Sequence, residues 1–284
     1  MPERASFPGL SPMNINFLKK ICVLCSAWRE TFRMPGFKKM AVHLVNPVDS
    51  VRYTEFAYLL GFFGERLKGL NVLDVSSPHV LSYMLSRHNN VVKTNIDETE
   101  SRLIHESENL KFRHEDALAL SFPDETFDLT YSISVVEHIY LKYTNAVREM
   151  LRVTKDGGYV YLTFSVSAAH TEEWLPYPMY PAQKKAENGF FFQYRFGKSD
   201  IDALLAAAGG AEVAASSIYW ERHDGAYDRL TSAMRKNYGA GVIYLLRNAL
   251  LNLYAGFFLL ENRPGNFKGG RAFGNISIIL KKRG

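Results

Sequence analysis

The sequence predicts an α/β protein with a mainly parallel sheet and helices on both faces. Three observations lead there. Short apolar runs alternate with amphipathic stretches from residue 71 to residue 165. The first run, Asn71-Val72-Leu73-Asp74-Val75, passes through Ser76-Ser77-Pro78 into a helical pattern at Val80, Leu81, Met84 and Leu85. Acids stand at the ends of the first three runs, as Asp74, Asp97 and Asp116. Strands alternating with helices pair in parallel through right-handed crossovers, and ligands then collect at the strand C-termini.

Length and composition set the bounds. A chain of 284 residues, 47% hydrophobic, suffices for one large domain with insertions or a domain with a small cap. With 22% charged residues it is not a disordered chain. The polar N-terminus carries Pro2, Pro8 and Pro12 and does not read as a secretory signal. Cys22 and Cys25 form a single C-x-x-C, which cannot complete a four-ligand zinc site. Residues three apart share a helix face, and two thiols without a disulfide framework fit a reducing cytoplasm. Net charge is +5, with the positive charge concentrated in residues 1–40 and 263–284 around an acidic middle. Basic ends suit an anionic surface or substrate, and equally suit solvated tails.

Taken in order, residues 14–34 read as a helix, because Ile15, Leu18, Ile21, Cys22, Cys25, Trp28 and Phe32 recur at helical spacing. Pro35-Gly36 ends it. Residues 50–68 give a second helix with Phe56, Leu59, Leu60, Phe63 and Leu67 on one face. Strand 71–75 leads to helix 78–88, with Ser77 expected as N-cap and Pro78 at the first helical position. Strand 91–96 ends at Asp97, and a helix carrying Leu103 and Ile104 follows. Strands are expected at 110–114, 127–133 and 159–165, the last after helix 142–153 and a turn at Asp156-Gly157-Gly158. Asp128 opens its strand and reads as structural. Residues 166–198, rich in Pro and aromatics, break the rhythm and read as a long loop that serves as a lid. Helix 199–208, strand 212–220, a helical stretch 225–261 and strand 274–282 complete the chain, the last two strands pairing antiparallel at one edge. Within 242–260 only Arg247, Asn248, Asn252 and Gly256 interrupt the apolar residues. A helix apolar nearly all round is buried against the domain, a partner subunit or a membrane surface.

The stretch Glu115-Asp116-Ala117-Leu118-Ala119-Leu120-Ser121-Phe122-Pro123-Asp124-Glu125-Thr126-Phe127-Asp128 is similar to "GDAxxLPFPDxSFD" of class I S-adenosylmethionine-dependent methyltransferases, of the type 11 kind. Ser132-Ile133-Ser134-Val135-Val136-Glu137-His138-Ile139 resembles the segment after that family's fourth strand, and residues 148–158 resemble its "REhhRVLKPGG" helix and turn. The resemblance implies a Rossmann-like, seven-stranded, mainly parallel sheet with an antiparallel last strand. It also implies S-adenosylmethionine as cofactor. By it, Asp97 would hold the ribose diol, Asp116 and Ala117 the adenine, and residues 74–77 (Asp74, Ser76 and Ser77 among them) the methionine part. Ile133 and Ser134 would line the pocket beside the sulfonium. The chain would divide into a helical cap (1–69), a cofactor-binding half (70–165), the lid (166–198) and a C-terminal half (199–284) with a helical insertion.

One departure stands out. The glycine positions of the family's first motif read Ser76, Pro78 and Val80. Glycine there permits φ > 0 and close backbone approach. Either the turn is rebuilt with serine hydroxyls at the methionine carboxylate, or the site has decayed in a non-catalytic scaffold relative. Methyl transfer asks the protein to align a nucleophile and take its proton. His138, just past the fourth strand, is the candidate base, unless it caps or packs the next helix. The aromatics Trp174, Tyr177, Tyr180 and Tyr194 either stack on an acceptor or form a small lid core. The expected activity is O-methylation of a small molecule or glycan. Partners are the acceptor, with an anionic membrane surface and a homodimer kept open. A nucleic-acid methyltransferase is the rival activity, but nucleic acid is not expected, because the basic residues form end segments and no basic–aromatic stripe.

Overall fold

A computed structural model describes residues 15–180, 183–235, 241–262, 267 and 270–284. The first 14 residues of the basic N-terminal segment, 236–240 of the expected helical insertion, and 263–266 and 268–269 of the basic C-terminal segment lie outside it.

The strands expected at 110–114 and 127–133 appear at those bounds, as β3 (Leu110–His114) and β4 (Phe127–Ile133). They join β1 (Asn71–Val75), β2 (Asn90–Asn95), β5 (Thr154–Val166), β9 (Glu212–Glu221), β10 (Leu260–Asn262) and β11 (Gly274–Lys281) in one sheet. Its order is β10-β9-β11-β5-β4-β1-β2-β3. The pairs from β5 to β3 are parallel, while β11 is antiparallel to both β5 and β9. The fold is therefore the Rossmann-like sheet expected, with one addition. Three-residue β10 pairs antiparallel with β9 and forms the edge, so the last strand lies inside the sheet and not at its rim. Strand order reverses between β1 and β4, which is where open α/β sheets form a crevice.

Side chains alternate across the sheet, so along β1 Val72 faces one core while Leu73 and Val75 face the other. The first core takes α1 (Phe17–Trp28), α3 (Arg52–Phe63) and α4 (His79–Leu85), with Val23, Phe56 and Leu81 fully buried. The second takes α5 (Tyr143–Val153) and α6 (Lys198–Ala207), through Val147, Met150 and Leu204. α5 also organises the segment before β4. Arg152 reaches Asp124 at 2.7 Å, Glu149 at 2.8 Å and the carbonyls of Leu120 and Phe122, so two of the segments singled out by sequence pack as one unit.

Several elements depart from expectation. The N-terminal helix stops at Trp28, a 3₁₀ turn follows at Thr31–Arg33, and α2 (Phe37–Val45) comes after Pro35-Gly36. A 3₁₀ helix, Glu98–Leu103, replaces the α-helix after Asp97. The Asp156-Gly157-Gly158 turn lies inside β5 as a bulge: Thr154 pairs with Phe127 and Tyr159 with Leu129. Gly158 is required there, since a Cβ would sit 2.8 Å from the Lys155 carbonyl oxygen and 2.9 Å from that of Asp128.

The lid is not a loop. β6 (Thr171–Leu175), β7 (Lys185–Ala186) and β8 (Gly189–Arg195) form a separate antiparallel sheet in the order β6-β8-β7. Phe191 and Tyr194 bury beneath it against Tyr140 and Trp174. After α7 (Ala226–Arg235), α8 (Val242–Tyr254) runs into a π turn, Ala255–Leu259, and then into β10. The domain covers only one side of α8, which leaves Ile243 84% and Leu250 67% exposed.

Candidate functional site

β4, β1, β2 and β3 are consecutive in the sheet and parallel, so their C-terminal ends form one rim. Every candidate residue named from sequence lies on that rim or in the turns that leave it.

At the β1 end the expected cap is corrected. Pro78, not Ser77, occupies the N-cap of α4, with no side-chain capping bond. The Ser77 hydroxyl is taken by the Ile133 N–H at 2.8 Å, across the gap to β4. Competition from the neighbouring strand end therefore overrides the local capping preference. Asp74 is fully buried and its carboxylate is satisfied from within. It accepts from the Ser77 N–H at 2.8 Å, from Tyr131 at 2.9 Å and from Ser82, and it pairs with buried Lys93 at 3.2 Å. Lys93 also donates to the Ser77 carbonyl. Asp74 thus ties the turn to the sheet rather than facing outward. An unpaired charge in such a place is costly, and the donors around it remove that cost.

The missing glycine is answered at the backbone. Ser76 has φ 59°, the left-handed conformation that glycine adopts readily, and its N–H bonds the Thr94 carbonyl at 3.0 Å. Ser134 does the same at the β4 end with φ 49°. Both strand ends beside the crevice therefore turn in the way a glycine-rich loop would, on serine.

Asp97 caps the Glu98–Leu103 turn, accepting on Oδ1 from the Thr99 N–H at 2.9 Å and from its hydroxyl at 2.7 Å. These bonds hold its carboxyl below the ordinary aspartate range. Asn95, the last residue of β2, orients Asp97 by accepting its N–H at 2.9 Å. Asp116 accepts from the Leu118 N–H at 2.9 Å, and half-buried Ala117 packs on the second core. Asp128 is structural, holding the Asn71 N–H at 2.8 Å and Lys155 at 2.7 Å.

Sequence reasoning missed a charged group over the β4 end. Glu55 of α3 is fully buried and gathers Ser134 (2.9 Å), Thr163 (2.7 Å), Asn275 (2.8 Å) and Arg52 (2.7 Å). Arg52 donates in turn to the Ser134 hydroxyl. Burial would lower the Arg52 pKa, but Glu55, with Asp49 and Glu137, outweighs it and raises it. The available signal was polarity on an otherwise apolar helix: Arg52 and Glu55 sit among Tyr53, Phe56, Tyr58 and Leu59.

His138 lies in the 3₁₀ turn Val136–His138, between Tyr180 and Phe192, with ring centroids 5.1 Å from each. Burial pushes its pKa down to about 4. Its Nδ1 lies 2.6 Å from the Phe192 carbonyl, which can only accept. Nδ1 therefore carries the proton, and Nε2 keeps its lone pair. Beside it, burial pushes Glu137 up to about 8; Oε1 accepts from the Ser165 N–H at 3.2 Å, and Oε2 has no partner among the described residues. Of the four lid aromatics, Tyr194 is buried and Trp174 packs on Tyr140 and Phe191, whereas Tyr177 and Tyr180 stay exposed.

A cleft of about 780 Å³ opens between the lid sheet and α7. Its lining mixes apolar surface, with Trp174 in one wall, and the polar side chains of Glu173, Gln193, Arg195, Asp228 and Thr231. Arg195 is held there by Asp228 at 2.5 Å and by the Ala272 carbonyl at 2.9 Å.

Residues 74–162 match the family described as "Methyltransferase domain". No curated protein matches the chain. Among solved structures, coclaurine N-methyltransferase with N-methylheliamine and SAH shares 13% identity, covers 96% of this chain and 89% of its own, and superposes with TM-score 0.50. The Burkholderia thailandensis 1,6-didemethyltoxoflavin-N1-methyltransferase shares 11% identity over 96% and 93%, with TM-score 0.47. The [4+2]-cyclase SpnF shares 17% over 80% and 81%, also with TM-score 0.47.

Proposed function

We propose that this chain, whose residues 74–162 match a methyltransferase domain, is a class I S-adenosylmethionine-dependent methyltransferase that O-methylates a small polyhydroxylated molecule or glycan in the cytoplasm. One observation carries this reading. The rim of β4, β1, β2 and β3 keeps the conformation of a cofactor crevice, with Ser76 and Ser134 in left-handed backbone where glycine is absent.

The residues present fit the cofactor. Asp97 Oδ2 is left for the ribose diol. Asp116 and Ala117 border the adenine end. Ser76 and Ser77 shape the turn, through backbone rather than capping chemistry. Ile133 and Ser134 border the reacting end. Arg52, held by Glu55 above Ser134, supplies the cation that the methionine carboxylate needs. S-adenosylmethionine supplies a methyl group already activated on a sulfonium. The protein's part is to place the acceptor and take its proton. His138 is the group for that part: burial keeps the imidazole neutral, and the Phe192 carbonyl fixes the tautomer that leaves the Nε2 lone pair to take the proton, as a weaker base than a free imidazole. A hydroxyl needs such a base, which favours oxygen as the methylated atom. The hydrogen-bonding cleft lining suits a sugar or another polyol. Nucleic acid is not the proposed acceptor.

Calorimetry with S-adenosylmethionine and S-adenosylhomocysteine tests the reading. Wild type is expected to bind both at about micromolar Kd, and Asp97→Ala to weaken both by about 1.5–3 kcal/mol, the worth of hydrogen bonds to a charged group. No heat from wild type at about millimolar ligand would sink the assignment in favour of a non-catalytic scaffold.

A further inference from the structure

We propose that α1, α2 and α8 together form a face that docks flat on an anionic membrane surface. Each helix turns an apolar stripe outward. On α1 and the turn after it these are Leu18 (68% exposed) and Phe32 (84%); on α2, Phe37 (85%) and Leu44; on α8, Ile243 and Leu250. The three helices adjoin one another. α8 packs against α2, α1 packs against the π turn, and the Phe17 and Phe257 rings meet at 4.9 Å. An exposed apolar area of this kind marks an interaction site.

Charge identifies the occupant. α1, α2, α8 and the π turn contain no Asp or Glu, while Lys19, Lys38, Lys39 and Arg247 lie on them and exposed Arg29 follows α1. An apolar face framed by bases alone complements lipid tails beneath an anionic headgroup layer. A second copy fits poorly, because an isologous contact would bring these bases together with no acid on the same elements to answer them.

Three attachments keep α8 along the surface and prevent it from crossing the bilayer, although Val242–Leu259 is long and apolar enough to do so. Tyr244 donates to the Met234 carbonyl at 3.2 Å, and Arg247 to that of Ala233 at 3.1 Å. Lys20 donates to the Gly256 carbonyl at 2.7 Å. α7 thus carries α8 on one side, and through Tyr227, Asp228 and Thr231 lines the cleft on the other. Docking would hold the cleft close to the lipid headgroups.

Flotation of the full chain with phosphatidylcholine vesicles, with and without about one third phosphatidylglycerol, tests this independently of methyl transfer. Wild type is expected to partition about tenfold more strongly to the anionic vesicles, less so in high salt. Ile243→Asp with Leu250→Asp should abolish binding, and Lys38→Glu should weaken it about fivefold; all three positions are exposed, and circular dichroism should be unchanged. Absence of binding, or equal binding to both vesicle types, overturns the proposal. So does a dimer in light scattering that Ile243→Asp converts to monomer, since a second copy would then cover the face.

Discussion

Two neighbouring side chains on the β4 exit carry opposite protonation behaviour. His138, with its pKa lowered to about 4 by burial, is neutral through the physiological range. His138→Asn should lower kcat by about 10²-fold with cofactor Kd nearly unchanged. In wild type, kcat/KM should show no limb near pH 6.5, because the base has already lost its proton. Such a limb, or near-normal turnover in the variant, would remove His138 from the proton-transfer role. Glu137, raised to about 8 by burial, keeps a proton in the folded state that the unfolded state releases near pH 4.5. Folding is therefore weakened as pH rises between those values. For His138 the native state binds fewer protons than the unfolded between about pH 4 and 6.5, so its contribution strengthens with pH there. The two offset each other up to about pH 6.5, and from there to about pH 8 only Glu137 acts, costing up to about 2 kcal/mol. Glu137→Gln should remove that loss, as read by urea unfolding at either end of the window. A flat wild-type profile would show that Glu137 holds no such proton.

Among the elements, the π turn after α8 depends on a single missing side chain. A Cβ on Gly256 would lie 2.2 Å from Tyr53 Cδ2, and Tyr53 is fully buried against the first core. Alanine in helical backbone gains about 1 kcal/mol over glycine in open surroundings. Here the clash wins: Gly256→Ala should destabilise by about 1–3 kcal/mol, the cost of overpacking a core that cannot give way. Thermal unfolding checks it, and an unchanged or raised Tm would mean that Tyr53 has room to move. The lid sheet shows the same dominance of packing. Phe191, Tyr194 and Phe196 pack the strands Thr171–Leu175 and Gly189–Arg195 over α5, despite a proline-rich composition that reads as loop.

At the scale of the molecule, the sheet brings four separate turns to one edge, the one proposed to bind the cofactor. A ligand that spans that edge touches β4, β1, β2 and β3 together, and any compound that binds only the folded chain stabilises all of them. S-adenosylhomocysteine at about a hundred times its Kd should therefore add about 2.7 kcal/mol to unfolding stability. Differential scanning calorimetry should show the whole transition moving upward. An unchanged transition at that ligand level would place the compound elsewhere or nowhere. The apolar face on α1, α2 and α8 lies on the side of the first core, so vesicle docking and cofactor binding should be separable by variants on the two surfaces.

Periodicity and turn chemistry act within a few residues, so the sequence alone determined the strands from 71 to 133, helix α5, the acids at the strand ends and the position of His138. The resemblance at residues 115–158 carried the cofactor with them. What depends on chains meeting in space was decided only by the tertiary structure. Ser77 reads as a cap until Ile133 arrives beside it and takes the hydroxyl. Asp74 reads as a ligand until Lys93, Tyr131 and Ser82 enclose it. Arg52 and Glu55 look like charges on a helix surface until α3 lies across the end of β4, burying Glu55 and half-burying Arg52 over Ser134. The apolar run at 242–259 signals burial, but only the packed structure shows which side the domain leaves uncovered. Local preference is worth about 1 kcal/mol at each such position, and a buried donor or acceptor left without a partner costs more, so the partners brought by the fold decide the outcome.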